Sequence, residues 1–123
     1  ERHELLIVEG AGGLLVPLNA KTTMADLARA LRLPLLVVAR AALGTLNHTR
    51  LTLEAATARG LAVLGVVISH AGGDLDPADA DNLAELREWL GGRLLGELLP
   101  LAPGEAPAPG SLRVPAILER LGA

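Results

Sequence analysis

The sequence predicts one α/β domain, arranged as a three-layer α/β/α sandwich around a mostly parallel sheet. Short apolar runs alternate with segments of helical periodicity along all 123 residues, in the order β-α-β-α-β-α-β-α. That order is typical of parallel strands joined by right-handed helical crossovers. The apolar runs are also continuous, as in strands that are covered on both faces. The length fits a single domain that can bury a substantial core.

Each predicted strand is a short apolar run bounded by polar or turn-forming residues. A strand that faces solvent on one side would alternate apolar with polar residues instead. Gly96 and Glu97 interrupt the fourth run. The predicted strands are residues 5–8, 34–39, 63–68 and 94–99.

Four helices are predicted from apolar spacing and from residues that can cap a helix start. Thr22 or Thr23 can cap the first helix, because these side chains accept hydrogen bonds from free backbone N–H groups. Asp76-Pro77 starts the third helix, with Pro at the first helical position. The second helix can be capped by Thr45 or Asn47. The predicted helices are residues 24–32, 45–59, 77–90 and 115–121. The apolar face of the third helix consists of Leu83, Leu86 and Leu90.

Composition excludes several classes of function. The net charge of -3 and the sequence pI of about 5.6 disfavour a nucleic-acid partner, because such binders carry a basic excess. The absence of cysteine excludes a disulfide scaffold, a cysteine nucleophile and a thiolate metal site. The single aromatic residue, Trp89, is too little for a base-stacking platform.

No apolar run is long enough to span a membrane, because Gly, Pro or a charged residue interrupts each one. The first residues lack the charged, apolar and small-residue zones of a secretory signal. We therefore expect a cytoplasmic protein with no membrane partner. The chain also lacks an initiator Met and enters the first predicted strand almost at once, which predicts a piece of a longer polypeptide.

The residues that follow each strand are the candidate site, because open parallel sheets bind ligands beyond the carboxyl ends of their strands. Glu9 and the glycine-rich residues 10–13 follow the first predicted strand. A carboxylate there is the Walker B arrangement of nucleotide-binding proteins, which holds Mg²⁺ directly or through water. The glycines let backbone N–H groups approach phosphates closely. A glycine-rich turn beside an exposed glutamate explains the same residues without a ligand, so both interpretations stay open.

The other strand ends also carry candidate groups. Gly44 permits a sharp turn before the second helix, whose free N–H groups suit a carboxylate or phosphate, although an ordinary capped loop explains it equally. Two interpretations are open for residues 69–74, which either contact a nucleotide base or form a polar loop. Two are also open for residues 98–103, which either lie against a flat ring or cover the core. His48 is interpreted as structural, and no second histidine lies at the spacing of a zinc site.

The sequence has no G-x-x-x-x-G-K-[ST] phosphate-binding loop. Its sole lysine, Lys21, precedes the first predicted helix. An acidic residue without a loop that cradles the phosphates is half of a nucleotide site.

Several motifs together resemble dethiobiotin synthetase. The E-G-A-G-G segment at residues 9–13 and the L-G-x-x-N-H segment at residues 43–48 are the most specific. The match corresponds to the C-terminal half of that family, whose N-terminal half carries the P-loop and a catalytic lysine. Where the family often has Asn-Asp, this chain has Ser69-His70. The matching segments are residues 7–13, 16–18, 23–27, 36–38, 43–49, 65–67 and 95–98.

The resemblance implies a P-loop NTPase-like fold and an ATP-dependent cyclo-ligase of biotin synthesis. Such enzymes close the ureido ring of dethiobiotin from 7,8-diaminopelargonic acid and CO₂. A carbamate forms on one amine, ATP phosphorylates it, and the second amine displaces phosphate. Mg²⁺, a lysine and backbone N–H groups neutralise the charge of the transferring phosphoryl group. Family enzymes are homodimers with the substrate at the subunit interface.

The resemblance also implies roles for individual residues. Glu9 would be a catalytic residue and a ligand of Mg²⁺. The residues that would line the phosphates and the substrate are Gly10, Ala11 and Gly12. Those that would meet the carboxylate tail of the substrate bound to the other subunit are Gly44, Thr45, Leu46 and Asn47. Those that would lie near adenine are Ser69, His70, Leu99, Pro100 and Leu101.

Two other interpretations stay open. One is an amidotransferase-type synthetase domain of cobalamin synthesis, which shares the architecture. The other is a non-catalytic module, either a P-loop-like regulatory domain or half of a partitioning-type ATPase. The L-G-x-x-N-H segment favours the biotin enzyme over both. Because the phosphate-binding loop is missing, we expect that the 123-residue chain alone does not turn over ATP.

Overall fold

A three-stranded parallel sheet forms the centre of the fold, in the order β1-β2-β3. β1 spans Leu35–Arg40, β2 spans Val63–Ser69 and β3 spans Leu94–Leu98. The structure is a computed structural model that describes residues 5–70 and 75–122. Both strand pairs are parallel, which confirms the predicted α/β class. Three of the four predicted strands form close to their expected bounds.

The four predicted helices all form. They are α1 (Met24–Leu31), α2 (Thr45–Ala58), α3 (Pro77–Leu90) and α4 (Val114–Leu121). A short 3-10 turn, Gly91–Arg93, joins α3 to β3. Within residues 5–70 and 75–122, none of these helices has the length and apolar character that crossing a membrane requires.

One predicted cap is confirmed, one is wrong, and the third helix starts at Asp76-Pro77 as predicted. The Thr23 hydroxyl accepts from the backbone N–H of Asp26 at the start of α1, and the Asp76 carboxylate accepts from that of Asp79 at the start of α3. In α2 the N-cap is Gly44, with φ of 82° and no side chain to offer. Glycine tolerates that left-handed conformation, and Thr45 becomes the first helical residue instead of the cap.

The main core lies between one face of the sheet and the helices α2 and α3. Leucines on α3 fill it, as their spacing predicts. The buried residues that the sheet, α2 and α3 contribute are Ala39, Leu53, Val66, Ile68, Leu83, Leu86 and Leu90. Helix α4 packs against β2 and β3, where the Arg120 guanidinium donates to the carbonyl oxygens of Leu64 and Gly92.

The outer edge of β3 is covered by the chain that leads into α4. The backbone N–H of Glu97 donates to Ser111 O at 3.1 Å, and that of Arg113 donates to Leu95 O at 2.7 Å. A side chain at Gly96 would collide with the Ser111 carbonyl oxygen, so glycine is what allows this close approach. Among the described residues, β1 pairs with β2 alone and its other edge has no neighbour.

The predicted first strand does not form, and this prediction is wrong. Residues 5–8 have no regular secondary structure, and all four side chains are exposed, from 49% at Val8 to 82% at Ile7. An apolar run becomes a strand when a neighbouring strand satisfies its backbone groups. No described residue provides that neighbour here. The observed order of elements is therefore α1-β1-α2-β2-α3-β3-α4.

Candidate functional site

The carboxyl ends of the three strands meet at one edge of the sheet. Ser69, the last residue of β2, pairs with Arg40 at the end of β1 and with Leu98 at the end of β3. The structure therefore brings together the segments that follow these strands, as the predicted topology requires. Parallel α/β sheets place their ligands at this edge.

One candidate group is the start of α2, directly after β1. The backbone N–H of Thr45 donates to Ala42 O and that of His48 to Gly44 O. The N–H groups of Leu46 and Asn47 have no acceptor among the described residues. Free N–H groups at a helix start attract an anion, because they add to the positive end of the helix dipole.

The Thr45 side chain adds a second observation at the same place. Thr45 is 5% exposed, and its hydroxyl has no hydrogen-bond partner in the described structure. Burying such a group costs free energy unless something pairs with it. Thr45 is one of the residues that line a cavity of about 130 Å³, with Val38, Arg40, His48 and Thr49 among the others. A small polar ligand that reached the hydroxyl could satisfy it.

The second candidate group is a chain of charged hydrogen bonds at the end of β2. His70 Nε2 lies 2.7 Å from Glu97 Oε2 on β3. Arg87 on α3 donates to both oxygens of the same carboxylate, from Nε at 2.6 Å and from Nη2 at 2.8 Å. The hydrogen bond from Arg87 and, less strongly, that from His70 lower the pKa of Glu97, although burial opposes them. The carboxylate therefore stays ionised at neutral pH.

The third candidate group is an apolar cavity beyond β3. Its volume is about 240 Å³, and Leu99, Pro100 and Leu101 form part of its wall. The Glu105 carboxylate accepts from the Ala102 N–H at 2.9 Å and closes the loop around it. The predicted apolar loop therefore lines a cavity at the strand-end edge and does not simply cover the core.

Glu9 and its glycines occupy an exposed segment before α1. Because residues 5–8 form no strand, Glu9 does not close one in the described structure, and its predicted role as a ligand of Mg²⁺ stays a prediction. No described residue donates a hydrogen bond to its carboxylate, and no group of three metal-binding side chains lies among residues 5–70 and 75–122. Gly12 has φ of 79°, and a Cβ at Gly10 would come within 3.0 Å of Met24 Cγ.

Some of the remaining predicted residues lie on described elements, and others lie outside the described residues. Gly44 through Asn47 form the turn and first residues of α2, Ser69 is the last residue of β2, and His70 follows it. The predicted polar segment after His70 falls on Ala71–Asp74, which lie outside the described residues. His48 is exposed, and its ring packs against Gly44, where a Cβ would lie 3.1 Å from Cε1.

Sequence reasoning missed Arg87 and Glu97 as a pair. They are ten residues apart on different elements, so no helical or strand periodicity connects them. A signal was present in Glu97 itself, because a carboxylate inside an otherwise apolar strand needs a partner. Nothing in the sequence identified which cation would supply it.

Comparison with known proteins gives a family and a set of relatives. A family model described as an AAA domain matches residues 1–108. A protein of Anaeromyxobacter dehalogenans named ATP-dependent dethiobiotin synthetase BioD is 61% identical over 85 residues, which is 69% of this chain and 38% of that protein. A protein of Frankia casuarinae with the same name is 50% identical over 105 residues, 85% of this chain and 44% of that protein.

A third relative with this name, from Rhodococcus jostii, is 50% identical over 97 residues, which is 78% of this chain and 42% of that protein. The names confirm the resemblance that the sequence motifs carry. The chain spans less than half the length of these curated relatives.

Proposed function

The chain belongs to the AAA domain family, whose model spans residues 1–108, and we propose that it is the C-terminal portion of an ATP-dependent cyclo-ligase of biotin synthesis. The proposed reaction closes the ureido ring of dethiobiotin from 7,8-diaminopelargonic acid and CO₂, with ATP as co-substrate. The names of the relatives support this activity. The observation that carries it in the structure is the start of α2, where a buried hydroxyl without a partner among the described residues lies at a helix N-terminus beside the strand-end edge.

The proposed ligand of the α2 start is the carboxylate tail of the substrate. The backbone N–H groups of Leu46 and Asn47, which have no acceptor in the part of the chain that the structure describes, and the Thr45 hydroxyl can each donate to a carboxylate oxygen. Gly44 allows the turn that presents them. We propose that the enzyme is a homodimer in which this helix start serves the substrate bound to the other subunit, as the family resemblance implies.

The proposed position of the nucleotide base is the edge formed by β2 and β3. Ser69 and His70 supply polar groups, and Leu99, Pro100 and Leu101 supply an apolar wall. An adenine ring needs both, because its faces are apolar and its edge carries hydrogen-bonding groups. The cavity of about 240 Å³ beyond β3 supports this position.

The proposed position of the phosphates and of Mg²⁺ is the segment from Glu9 to Gly12. Mg²⁺ is bound in many enzymes by one or two carboxylates together with substrate phosphates and waters, so a single exposed carboxylate fits the ion. When bound, Mg²⁺ would neutralise charge on the transferring phosphoryl group. The backbone N–H groups of Gly10, Ala11 and Gly12 would face phosphate oxygens, which small residues permit.

We propose that the phosphate-binding loop comes from the part of the polypeptide that the relatives have and this chain does not span. Residues 1–123 would then be one portion of a single ligase domain. We propose a cytoplasmic location for it.

Isothermal titration of the full-length polypeptide tests the proposal. We expect diaminopelargonic acid and Mg²⁺-ATP each to bind, and diaminopelargonic acid to bind more weakly when its carboxylate is replaced by an amide. Absence of binding by both ligands would contradict the proposed function. Equal binding of acid and amide would contradict the carboxylate site at α2.

A further inference from the structure

The C-terminal end of α3 carries an aromatic ring with two arginines over it. The guanidinium carbon of Arg93 lies 4.4 Å from the centre of the Trp89 ring, and that of Arg50 on α2 lies 5.2 Å from it. Arg93 also donates from Nη2 to Trp89 O at 3.4 Å. Because the electrons of an aromatic ring attract a cation over its face, the indole holds two positive charges in place. We call Arg50, Trp89 and Arg93 the arginine–tryptophan cluster.

The two arginines of the cluster are exposed and lack an acidic partner. Neither forms an ion pair within residues 5–70 and 75–122. Trp89, the only aromatic residue of the chain, is partly buried and packs against the main core. Tryptophan and arginine are the side chains that most often anchor protein–protein interfaces. The cluster therefore has the composition of an interface anchor that still has charge to pair.

The preceding turns of the same helix are acidic. Asp81 and Glu85 are exposed and precede Trp89 at intervals of four residues, so the three share one face of α3. Neither carboxylate forms an ion pair in the part of the chain that the structure describes. Glu85 and Arg93 are eight residues apart, which is about 12 Å along a helix, so they do not pair within one copy.

Two-fold symmetry would bring these opposite charges together. In a two-fold dimer, a contact from one patch to another is made twice, once in each direction. With α3 antiparallel to α3 of a second copy, Asp81 and Glu85 of each copy would face the arginine–tryptophan cluster of the other. Each carboxylate would then gain a cation, and each guanidinium a planar acceptor.

We propose that this face of α3 is an interface between two copies of the chain, with the arginine–tryptophan cluster of each copy against Asp81 and Glu85 of the other. The inference rests on the proposed homodimer and names a surface that forms it. A second copy fits because one helix face supplies both halves of the contact. The net charge of -3 makes two copies repel each other, so their association needs opposite charges at the point of contact.

Charge reversal in the full-length polypeptide, followed by analytical ultracentrifugation, tests the inference. Arg50→Glu with Arg93→Glu makes the face acidic throughout, and Asp81→Arg with Glu85→Arg makes it basic throughout. Each double variant should raise the dissociation constant of its homodimer about 100-fold or more, because like charges then meet twice. An equimolar mixture of the two should form a heterodimer, with a dissociation constant within about tenfold of the wild-type value, since opposite charges face each other again.

Glu119→Arg is the control, because it reverses an exposed charge on α4, and it should dimerise like wild type. Double variants that dimerise like wild type, or that keep the wild-type unfolding temperature and form no heterodimer, would overturn the inference while the proposed homodimer stood on another surface. Salt supplies a test without substitutions. A wild-type dissociation constant that does not rise between about 0.05 and 0.5 M salt would overturn the inference even where a variant fails to fold. A monomeric wild type would overturn both the inference and the homodimer, and dethiobiotin formation would still decide the activity.

Discussion

Arg87 on α3 and Glu97 on β3 form a two-pronged ion pair, with Nε and Nη2 at 2.6 and 2.8 Å from the two carboxylate oxygens. The pair joins the helix layer to the strand that borders the apolar cavity. The Arg87 side chain is 42% exposed and that of Glu97 is 23% exposed, so solvent screens the attraction in part. Its hydrogen-bond geometry makes it stronger than a single-contact surface pair.

The first prediction concerns the pH dependence of stability. The hydrogen bond from Arg87 lowers the pKa of Glu97 below its ordinary value of 4.5, so folding favours the ionised form. The stabilisation is fully present above 4.5 and is lost as the pH falls through the folded-state pKa. At pH 7, Glu97→Gln should lower the free energy of unfolding by about 1–2 kcal/mol.

Urea unfolding at a series of pH values measures this difference. The gap between wild type and Glu97→Gln should narrow as the pH falls below 4.5. Glu88→Gln, which changes an exposed carboxylate on α3, should show no such gap. A gap that stayed constant down to pH 3 would show that the charge of Glu97 does not contribute.

The second prediction separates stability from binding at Thr45. Thr45→Val removes a buried hydroxyl that has no described partner, so unfolding should cost the same or up to about 1 kcal/mol more. The KM for diaminopelargonic acid should rise about tenfold in the full-length enzyme, because one donor to the carboxylate is lost. Thr57→Val, at the other end of α2, is the control for the substitution itself. A destabilised Thr45→Val with unchanged KM would refute the assigned role.

The third prediction concerns the turn before α2. Gly44 has φ of 82°, and a Cβ would lie 3.1 Å from His48 Cε1. Gly44→Ala should therefore destabilise the protein by about 1–2 kcal/mol. Gly92→Ala is the matched control, because Gly92 has no atom within 4 Å of the added carbon and needs no left-handed backbone. Equal effects of the two substitutions would remove the argument for strain at Gly44.

The fourth prediction concerns Glu9. Glu9→Gln in the full-length enzyme should reduce kcat by about 100-fold or more while the thermal unfolding temperature stays the same, because the carboxylate is exposed and unpartnered among the described residues. Glu54→Gln, an exposed carboxylate on α2, should keep the wild-type rate. A nearly normal rate for Glu9→Gln would exclude it as a ligand of Mg²⁺.

The sequence predicted the strands and helices that depend on local patterns. Continuous apolar runs identified β1, β2 and β3, and Asp76 with Pro77 identified the start of α3. Residues 5–8 have the same apolar pattern and do not form a strand, because strand formation also needs a neighbour that no local pattern contains. Apolar runs therefore identify candidate strands, and pairing with a neighbouring strand decides which of them form.

The candidate site was predictable to a similar degree. Parallel topology placed Ser69, His70 and the loop after β3 at one edge, and the structure brings these segments together. The roles of Thr45 and Glu97 depend on burial and on contacts between distant residues. An unpaired hydroxyl and an ion pair between α3 and β3 can be recognised once the chain is folded, since neither follows from spacing.

The most direct test of the proposed activity is product formation by the full-length polypeptide. Given Mg²⁺-ATP, CO₂ and diaminopelargonic acid, it should form dethiobiotin, measured by mass spectrometry, together with an equal amount of phosphate, and the 123-residue chain alone should form none. Phosphate release that does not depend on diaminopelargonic acid, with no dethiobiotin formed, would contradict the account.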